Sequence, residues 1–218
     1  MSRAVIFVNG HIPDLELVRR LTRPGDTLLA ADGGTRHALA LGLTPSIVIG
    51  DLDSLTDDDR RKLDAAGTEI RRYPRDKNET DFELALHYAV EAGYREILLV
   101  AALGNRLDQT LGNLALLTDP SLVGLHVRVD DGVEQVYFAR RGTQAQVEGS
   151  PGDLVSLIPW GGEVTGVVTD GLRWPLRGET LYPYKTRGIS NELLGKSASV
   201  NLKSGLLLVI HHRQETQS

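Results

Sequence analysis

Short apolar runs alternate with helix-like segments through the first half of this 218-residue chain. Continuous runs of this kind are typical of strands that are buried on both faces of a sheet. They cover residues 4–8, 27–31, 46–49 and 96–102, and the more polar residues 69–73 are predicted as a further strand. Helices are predicted between and after them, over residues 13–23, 35–41, 56–66, 80–92 and 107–117. The alternation predicts an α/β domain built on a parallel sheet.

The character of the chain changes after residue 120. Short segments of strand-like composition follow, with turn signals about every 8–12 residues. They cover residues 126–129, 134–139, 143–147, 154–159, 163–169, 197–202 and 205–210. This spacing is typical of a small antiparallel sandwich or barrel. We therefore predict two domains. Residues 1–122 form a Rossmann-like catalytic domain with helices on both faces of its sheet, and residues 123–218 form an all-β sandwich.

Composition excludes several classes of protein. There are no cysteines, so disulfides and thiolate metal sites are both excluded. The formal net charge is −5, and there is no long basic run, which argues against nucleic acid as the main partner. No apolar stretch approaches the roughly 20 residues of a membrane span, and the first apolar run is too short for a signal peptide. We expect a cytoplasmic, soluble protein that binds neither nucleic acid nor a membrane.

Four short acidic segments lie where an apolar run ends or a helix begins. They are Asp32-Gly33-Gly34, residues 50–54, Thr80-Asp81 and residues 104–109. Carboxylates gathered at the carboxyl ends of parallel strands repel one another unless a cation lies between them. Together these segments indicate a polyphosphate with a divalent metal, handled by a transferase or a hydrolase.

The pair Asp51 and Asp53 most directly indicates a metal site. The two residues follow an apolar strand, and their side chains point the same way if the strand geometry continues. Mg²⁺ prefers oxygen ligands and usually binds through one or two carboxylates plus substrate phosphates. The alternative is a surface turn, because Asp, Gly and Ser are turn residues.

The segment Asp32-Gly33-Gly34 suits a bound anion. Its glycines let backbone N–H groups approach a ligand closely, and the following helix offers its N-terminus. The alternative is an ordinary turn between a strand and a helix, with Asp32 as the helix cap. The segment is neither a Walker A loop nor a full dinucleotide fingerprint.

Two further helix starts place a cation near a carboxylate. Lys77 precedes Asp81, and Arg106 precedes Asp108 and Gln109. A lysine and the planar fork of an arginine both suit phosphate, and Asp81 would then contact a metal or a hydroxyl group. Plain helix caps and a solvated arginine are the alternatives.

Taken in order, these motifs resemble the thiamine pyrophosphokinase family. The resemblance covers nearly the whole chain, through residues 31–34, 49–54, 77–83, 104–109 with Asn113-Leu114, 169–176 and 188–192. It implies a two-domain homodimer with active sites between the subunits. It also implies transfer of a pyrophosphoryl group from ATP to the hydroxyethyl oxygen of thiamine, which gives thiamine diphosphate and AMP.

The resemblance also assigns roles to residues. The catalytic carboxylates would be Asp51, Asp53, Asp81 and Asp108, with Mg²⁺ held by Asp51 and Asp53. ATP would be bound by Asp32, Gly33, Gly34, Ser54, Lys77, Arg106 and Gln109. Thiamine would contact Asn78, Thr80, Ser190 and Asn191. Trp174 is expected in the core or between domains rather than against a ligand.

One residue departs from the family pattern, and two other functions stay open. Many bacterial members carry an Asp directly after the lysine, where this chain has Asn78. A pyrophosphokinase acting on a hydroxymethylpterin would use the same carboxylates with a different acceptor pocket. A non-catalytic ATP sensor would bind the nucleotide through the same loops without turnover.

Overall fold

The computed structural model describes residues 3–104, 106–142 and 144–214. The chain divides into two compact units, Met1–Gly132 and Val133–Ser218. No helix among the described residues combines the length and the apolar composition needed to cross a membrane.

The first unit contains a parallel sheet whose strands alternate with helices. The strands are β1 (Ala4–Phe7), β2 (Thr27–Ala31), β3 (Ile47–Gly50), β4 (Glu69–Arg72), β5 (Glu96–Val100) and β6 (His126–Asp130). The helices are α1 (Leu15–Leu21), α2 (Gly34–Ala40), α3 (Asp57–Ala65), α4 (Asp81–Glu91) and α5 (Leu107–Leu116). A single 3₁₀ turn, Pro120–Leu122, precedes β6. The predicted parallel sheet is confirmed, because these six strands pair in parallel with one another.

Capping side chains explain where α1 and α3 begin. Asp14 accepts hydrogen bonds from the backbone N–H groups of Glu16 and Leu17, so α1 begins at residue 15 and is shorter than predicted. Thr56 and Asp59 form a capping box at the start of α3. Local sequence therefore sets the start of these two helices and the register at which they present their buried faces.

The strand order is β6-β5-β1-β2-β3-β4, which reverses direction between β5 and β1. Successive strands β1 to β4 are laid down on one side of β1, whereas β5 and β6 are added on the other. The loops that follow β1 and β5 consequently turn away from each other and leave a crevice at the carboxyl edge. Open α/β sheets bind their ligands at this position.

The expected domain boundary placed residues 126–129 with the β domain. In the structure these residues belong to β6, which pairs in parallel with β5 in the first unit. The segment is short and lies after the change in composition, so its pattern alone did not reveal its pairing partner.

The second unit contains two runs of antiparallel strands. Its strands are β7 (Glu134–Arg140), β8 (Ala145–Glu148), β9 (Leu154–Pro159), β10 (Val164–Asp170), β11 (Arg177–Leu181), β12 (Asn191–Glu192), β13 (Ser197–Asn201) and β14 (Leu206–His212). One run has the order β12-β9-β14-β7 and the other β11-β10-β13-β8. Residue 143, the first of the predicted segment 143–147, lies outside the described residues.

Two strands of the second unit were not predicted. β11 carries few apolar residues, and its pairing with β10 is interrupted by shifts in register, so no alternation marks it. β12 is only two residues long. Neither segment therefore shows the alternating pattern that marks a strand in a sequence.

Candidate active site

An acidic cleft lies at the carboxyl edge of the parallel sheet. Asp32 follows β2, Asp51 follows β3, and Asp53 lies two residues further on. One carboxylate oxygen from each of the three lies within 4.8 Å of the others. Three of the predicted site residues are thereby brought together by the ends of two neighbouring strands.

Asp81 joins this group because of the close approach of Gly50. A side-chain carbon at Gly50 would lie 2.9 Å from Cβ of Asp32 and 3.1 Å from Cγ of Asp81. The φ of Gly50 is +150°, a region that also favours glycine. Any larger residue would push the two carboxylates away from the end of β3.

The pair Asp51 and Asp53 does not continue a strand, as the spacing argument assumed. β3 ends at Gly50, and Oδ1 of Asp51 accepts the backbone N–H of Asp53 at 3.0 Å. Leu52 between them has a φ of +66° and is buried in the core. A strained turn, anchored by a buried leucine, therefore gathers the carboxylates.

The two glycines after Asp32 serve packing. A side-chain carbon at Gly34 would lie 2.0 Å from the carbonyl oxygen of Phe7, and one at Gly33 would lie 2.5 Å from Cγ of Asn9. Helix α2 has no side-chain cap, so Asp32 does not act as the helix cap in this structure. Its carboxylate faces the cleft instead.

The electrostatics of the cleft suit a hard cation. Burial raises the pKa of the Asp32 carboxyl, the neighbouring hydroxyl of Ser54 offsets part of this rise, and the charges of Asp81 and Asp51 raise the pKa further. Oδ1 of Asp32 and Oγ of Ser54 are buried, and apart from the contact between this carboxylate and this hydroxyl neither atom has a hydrogen-bond partner among the described residues. Close carboxylates with unsatisfied oxygens fit a divalent cation with oxygen ligands.

Cations lie on the rim of the same cleft. Nζ of Lys77 forms an ion pair with Oδ1 of Asp81 at 2.8 Å. The same nitrogen donates a hydrogen bond to the carbonyl oxygen of Pro74. Arg75 lies 3.8 Å from Oδ2 of Asp53 and is largely exposed. The cleft, of about 310 Å³, is lined by Val8, Asn9, Ala31, Asp32, Gly33, Asp51, Arg75, Lys77, Thr80, Asp81, Phe82, Gln109 and Asn113.

A second cleft, which we call the crevice cleft, lies where the strand order reverses. Its volume is about 290 Å³, and its lining comes from the loops after β1 and β5 and from α5. The lining residues are Val8, Asn9, Gly10, Ala102, Gly104, Arg106, Gln109 and Asn113. Four of them, Val8, Asn9, Gln109 and Asn113, also line the acidic cleft.

Asp108 lies apart from these clefts. It is exposed and forms an ion pair with Arg106, which holds the pKa of the Asp108 carboxyl below its usual value. It is not among the described residues that line either cleft. Arg106 lines the crevice cleft, and Asn105 of the same motif lies outside the described residues.

Of the two other predicted site residues near Lys77, one lines the acidic cleft and one does not. Thr80 caps α4 through the backbone N–H of Glu83 and also lines the acidic cleft. Asn78 is exposed and is not among the described lining residues.

Sequence reasoning missed several lining residues. Asn9, Arg75 and Phe82 had no predicted role, and Asn113 was quoted only as part of a motif. Asn9 directly follows the apolar run of β1, the same signal that marked Asp32 and Asp51. The end of an apolar run therefore marks neutral site residues as well as acidic ones.

A separate pocket of about 530 Å³ lies in the second unit. It is lined by Trp174, Thr186, Arg187, Gly188, Ile189, Ser190 and Asn191. The buried amide of Asn191 accepts from the backbone N–H of Trp174 and donates to its carbonyl oxygen. Asn191 therefore holds the pocket wall, whereas Ser190 is exposed with a φ of +54°.

Trp174 does not lie in a core, which was one of the two positions expected for it. Its side chain is 46% exposed, and the guanidinium of Arg173 lies 5.1 Å from its ring centre. The ring is thus part of an accessible pocket wall.

These features define an α/β protein with an acidic cleft at the carboxyl edge of a parallel sheet, followed by an antiparallel β unit. Comparison with protein families then gives a specific result. The catalytic domain of thiamin pyrophosphokinase matches residues 18–129, and the vitamin B1 binding domain of thiamin pyrophosphokinase matches residues 144–207. The chain belongs to the thiamin pyrophosphokinase family, which is a family of enzymes, and the resemblance seen in the sequence is confirmed.

Individual relatives agree with this assignment. The chain is 28% identical over 182 residues to thiamine pyrophosphokinase from Bacillus subtilis, covering 84% of this chain and 85% of that protein. It is 25% identical to thiamine pyrophosphokinase 1 from Oryza sativa, over 78% of this chain and 67% of that protein.

Solved structures share the fold over the full length. A crystal structure of thiamin pyrophosphokinase from Geobacillus thermodenitrificans has a TM-score of 0.83 at 27% identity, covering 100% of this chain and 99% of the other. One from Bacillus subtilis has a TM-score of 0.87 at 24% identity, covering 99% of this chain and 100% of the other, which is evidence for the fold.

Proposed function

We propose that this chain transfers a pyrophosphoryl group from ATP to the hydroxyethyl oxygen of thiamine, giving thiamine diphosphate and AMP. The observation that carries the proposal is the cluster of Asp32, Asp51 and Asp53 beside the cations of the rim. Family membership supplies the reaction class, and the cleft offers the charges that a metal–polyphosphate complex needs.

The finer fold assignment belongs to the same proposal. We infer a Rossmann-like sheet with helices on both faces. Supporting this, residues of α1 to α3 share one core with alternate residues of the strands, while α4 contacts β1, β2 and β3 and lies outside that core. We likewise infer a sandwich in the second unit, since buried residues from both strand runs form one core.

Asp51 and Asp53, with Asp32 beside them, would hold Mg²⁺. When bound there, the ion would neutralise charge on the phosphates during transfer. The fit rests on the unsatisfied oxygens of Asp32 and Ser54 and on the closeness of the three carboxylates.

The chain's own cations would bind and orient the phosphates. Lys77 and Arg75 lie on the rim of the acidic cleft, and Arg106 lines the crevice cleft that adjoins it. Arginine suits a phosphate because its planar fork donates two parallel hydrogen bonds. With the phosphates held, the hydroxyl oxygen and the departing AMP would be placed in line at the β-phosphorus.

The acceptor hydroxyl must lose its proton as the new O–P bond forms and the bond from the β-phosphorus to the α,β-bridging oxygen breaks. Asp81 lies at the start of α4 next to Lys77 and faces the cleft. It would accept a hydrogen bond from the hydroxyl, orient it, and take its proton as the new O–P bond forms. Asp108 would have to leave its ion pair with Arg106 to take such a role.

We also propose a homodimer with active sites shared between subunits. This rests on the family resemblance, in which Ser190 and Asn191 face thiamine from the partner subunit. The open pocket around Ser190 and Trp174 supports a ligand-binding role for this part of the second unit.

The function is tested by AMP release from ATP and Mg²⁺ with thiamine or hydroxymethylpterin as acceptor. We expect AMP and thiamine diphosphate in equal amounts. AMP release with the pterin alone would support the same reaction with a different acceptor. ATP binding without AMP from any acceptor would contradict the proposal and favour a sensor.

The metal role is tested by Asp53→Asn. We expect the variant to stay folded and to lose most of its turnover, about 10²-fold or more, because one carboxylate of the cluster is removed. Asp64→Asn on α3, also an exposed aspartate, is the matched control and should keep normal activity. Near-normal activity of Asp53→Asn with Mg²⁺ would show that the metal role is wrong.

A further inference from the structure

The crevice cleft differs in chemistry from the acidic cleft beside it. Among its described lining residues there is no carboxylate, and its polar side chains are the amides of Asn9, Gln109 and Asn113 with the guanidinium of Arg106. Neutral amides read the edges of heterocyclic rings by hydrogen bonding, as they do with nucleobases. The crevice cleft is therefore suited to a polar, uncharged ring.

Asn113 is the lining amide whose orientation the structure determines. It is 7% exposed, and its Nδ2 donates to the carbonyl oxygen of Ala102 at 2.8 Å. A carbonyl oxygen only accepts, so the amide nitrogen must face Ala102. No described residue donates to Oδ1 of Asn113. The group that Asn113 offers to a ligand is thus an acceptor.

We propose that Oδ1 of Asn113 accepts a hydrogen bond from the exocyclic amino group of adenine, and that Asn113 thereby makes this enzyme select ATP over nucleotides with a carbonyl at that position. The inference rests on the proposed function, since it takes ATP as the nucleotide. Hypoxanthine or guanine would bring a carbonyl oxygen against Oδ1, and two acceptors facing each other repel.

The same chemistry, an amino group on a nitrogen heterocycle, occurs on the aminopyrimidine ring of thiamine. Adenine is favoured by the location of the crevice cleft, because nucleotides bind where the strand order of an open α/β sheet reverses. Arg106 in the same lining also matches a phosphorylated ligand better than the cationic thiamine.

The test compares ATP with inosine triphosphate, which carries a carbonyl in place of the amino group. Dissociation constants are measured by calorimetry with Mg²⁺ and without an acceptor, so the result does not depend on turnover. We expect wild-type protein to bind ATP roughly tenfold more tightly. In Asn113→Ala the two constants should lie within about threefold of each other.

The ratio of the two constants distinguishes recognition from a structural role, since a general loss of affinity affects both nucleotides. Leu111→Ala, on the same helix but outside the lining of both clefts, should keep the wild-type ratio. If Asn113→Ala does not fold, Asn113→Thr removes less buried volume and is measured instead. A second comparison, thiamine against oxythiamine in the AMP assay, reports whether Asn113 reads the acceptor.

An Asn113 variant that keeps the wild-type nucleotide ratio overturns the proposal, whatever it does to the acceptor pair. Wild-type protein that binds both nucleotides equally also overturns it and leaves the proposed function intact. Wild-type protein that binds neither nucleotide overturns the proposed function as well.

Discussion

At the scale of single residues, several features of the acidic cleft lower the stability of the folded protein. Asp32 and Leu52 both have positive φ, at +36° and +66°, and each non-glycine residue in such a conformation costs on the order of 1 kcal/mol. The carboxylates repel one another, and burial raises the pKa of Asp32. A bound cation would relieve this repulsion, which makes the cleft a place where ligand binding and folding stability are linked.

This linkage predicts that Mg²⁺ raises the thermal unfolding midpoint. At a concentration of roughly 100 times its Kd, we expect a rise of about 5–10 °C for a protein of this size. Asp51→Asn should lose most of the rise, because it removes a carboxylate of the cluster. The measurement is thermal unfolding with and without Mg²⁺, with Asp64→Asn as the control. An unchanged rise in Asp51→Asn would place the ion elsewhere.

The sequence predicts the cleft residues unevenly. Asp32 and Asp51 could be predicted from the sequence because each follows an apolar strand, and parallel strands end at one edge of the sheet. Asn113 could not, since its convergence with Asn9 depends on β1 lying next to β5. Strand order is a property of the tertiary fold, and the apolar runs in the sequence do not reveal it.

At the scale of elements, side chains that bond to the backbone hold the ends of strands in the second unit. Oδ2 of Asp153 accepts from Nε2 of His211 at 2.8 Å and from the backbone N–H of Ser150, and Oδ1 accepts from the backbone N–H of Gln214. Asp153 and His211 are buried. The start of β9 is thereby joined to the end of β14.

These contacts predict a pH-dependent loss of stability in Asp153→Asn. Burial alone would raise the pKa of the Asp153 carboxyl, but the hydrogen bonds from Ser150, Gln214 and His211 more than offset it and lower the pKa. A lowered folded-state pKa stabilises the protein above the unfolded pKa, and this contribution is lost as pH falls through the folded-state pKa.

We therefore expect Asp153→Asn to cost about 1–3 kcal/mol at pH 7, with the cost beginning to fall below about pH 4 and disappearing only below the folded-state pKa of Asp153. Urea unfolding at several pH values measures this difference. Asp170→Asn, an exposed aspartate of the same unit, should show little change at any pH. A cost for Asp153→Asn that is equal at pH 7 and in acid would contradict the assignment.

Helix starts were more predictable than short strands for a physical reason. The capping box of Thr56 and Asp59 is a contact between residues three apart, so the local sequence contains it completely. The two residues of β12 are held by pairing with β9, more than thirty positions earlier. No pattern within β12 could indicate that pairing.

At the scale of the whole molecule, the two units carry different parts of the proposed reaction. The first holds the acidic cleft and the crevice cleft, and the second holds the pocket around Trp174 and Ser190. The order of the two units along the chain was predictable from the change in composition. The family resemblance adds the proposal that each complete site uses both units from different subunits.

Shared sites predict complementation between two inactive variants. Asp53→Asn disables the first unit, and Ser190→Arg fills the pocket of the second. When the two are unfolded together and refolded as a mixture, half of the dimers are hybrids with one intact site each. The AMP assay should then recover about a quarter of wild-type activity. Recovery no greater than the sum of the separate variants would exclude shared sites.

Four residues, Val8, Asn9, Gln109 and Asn113, line both clefts of the first unit. The two clefts therefore share a wall and lie within reach of one small molecule. With the roles proposed above for the two clefts, a compound joining a flat amino-heterocycle to a metal-chelating group would engage both at once. Its second contact would form at a high effective concentration, so it would bind more tightly than either fragment alone. Because the two clefts share a wall, inhibitors built from two linked fragments suit this enzyme.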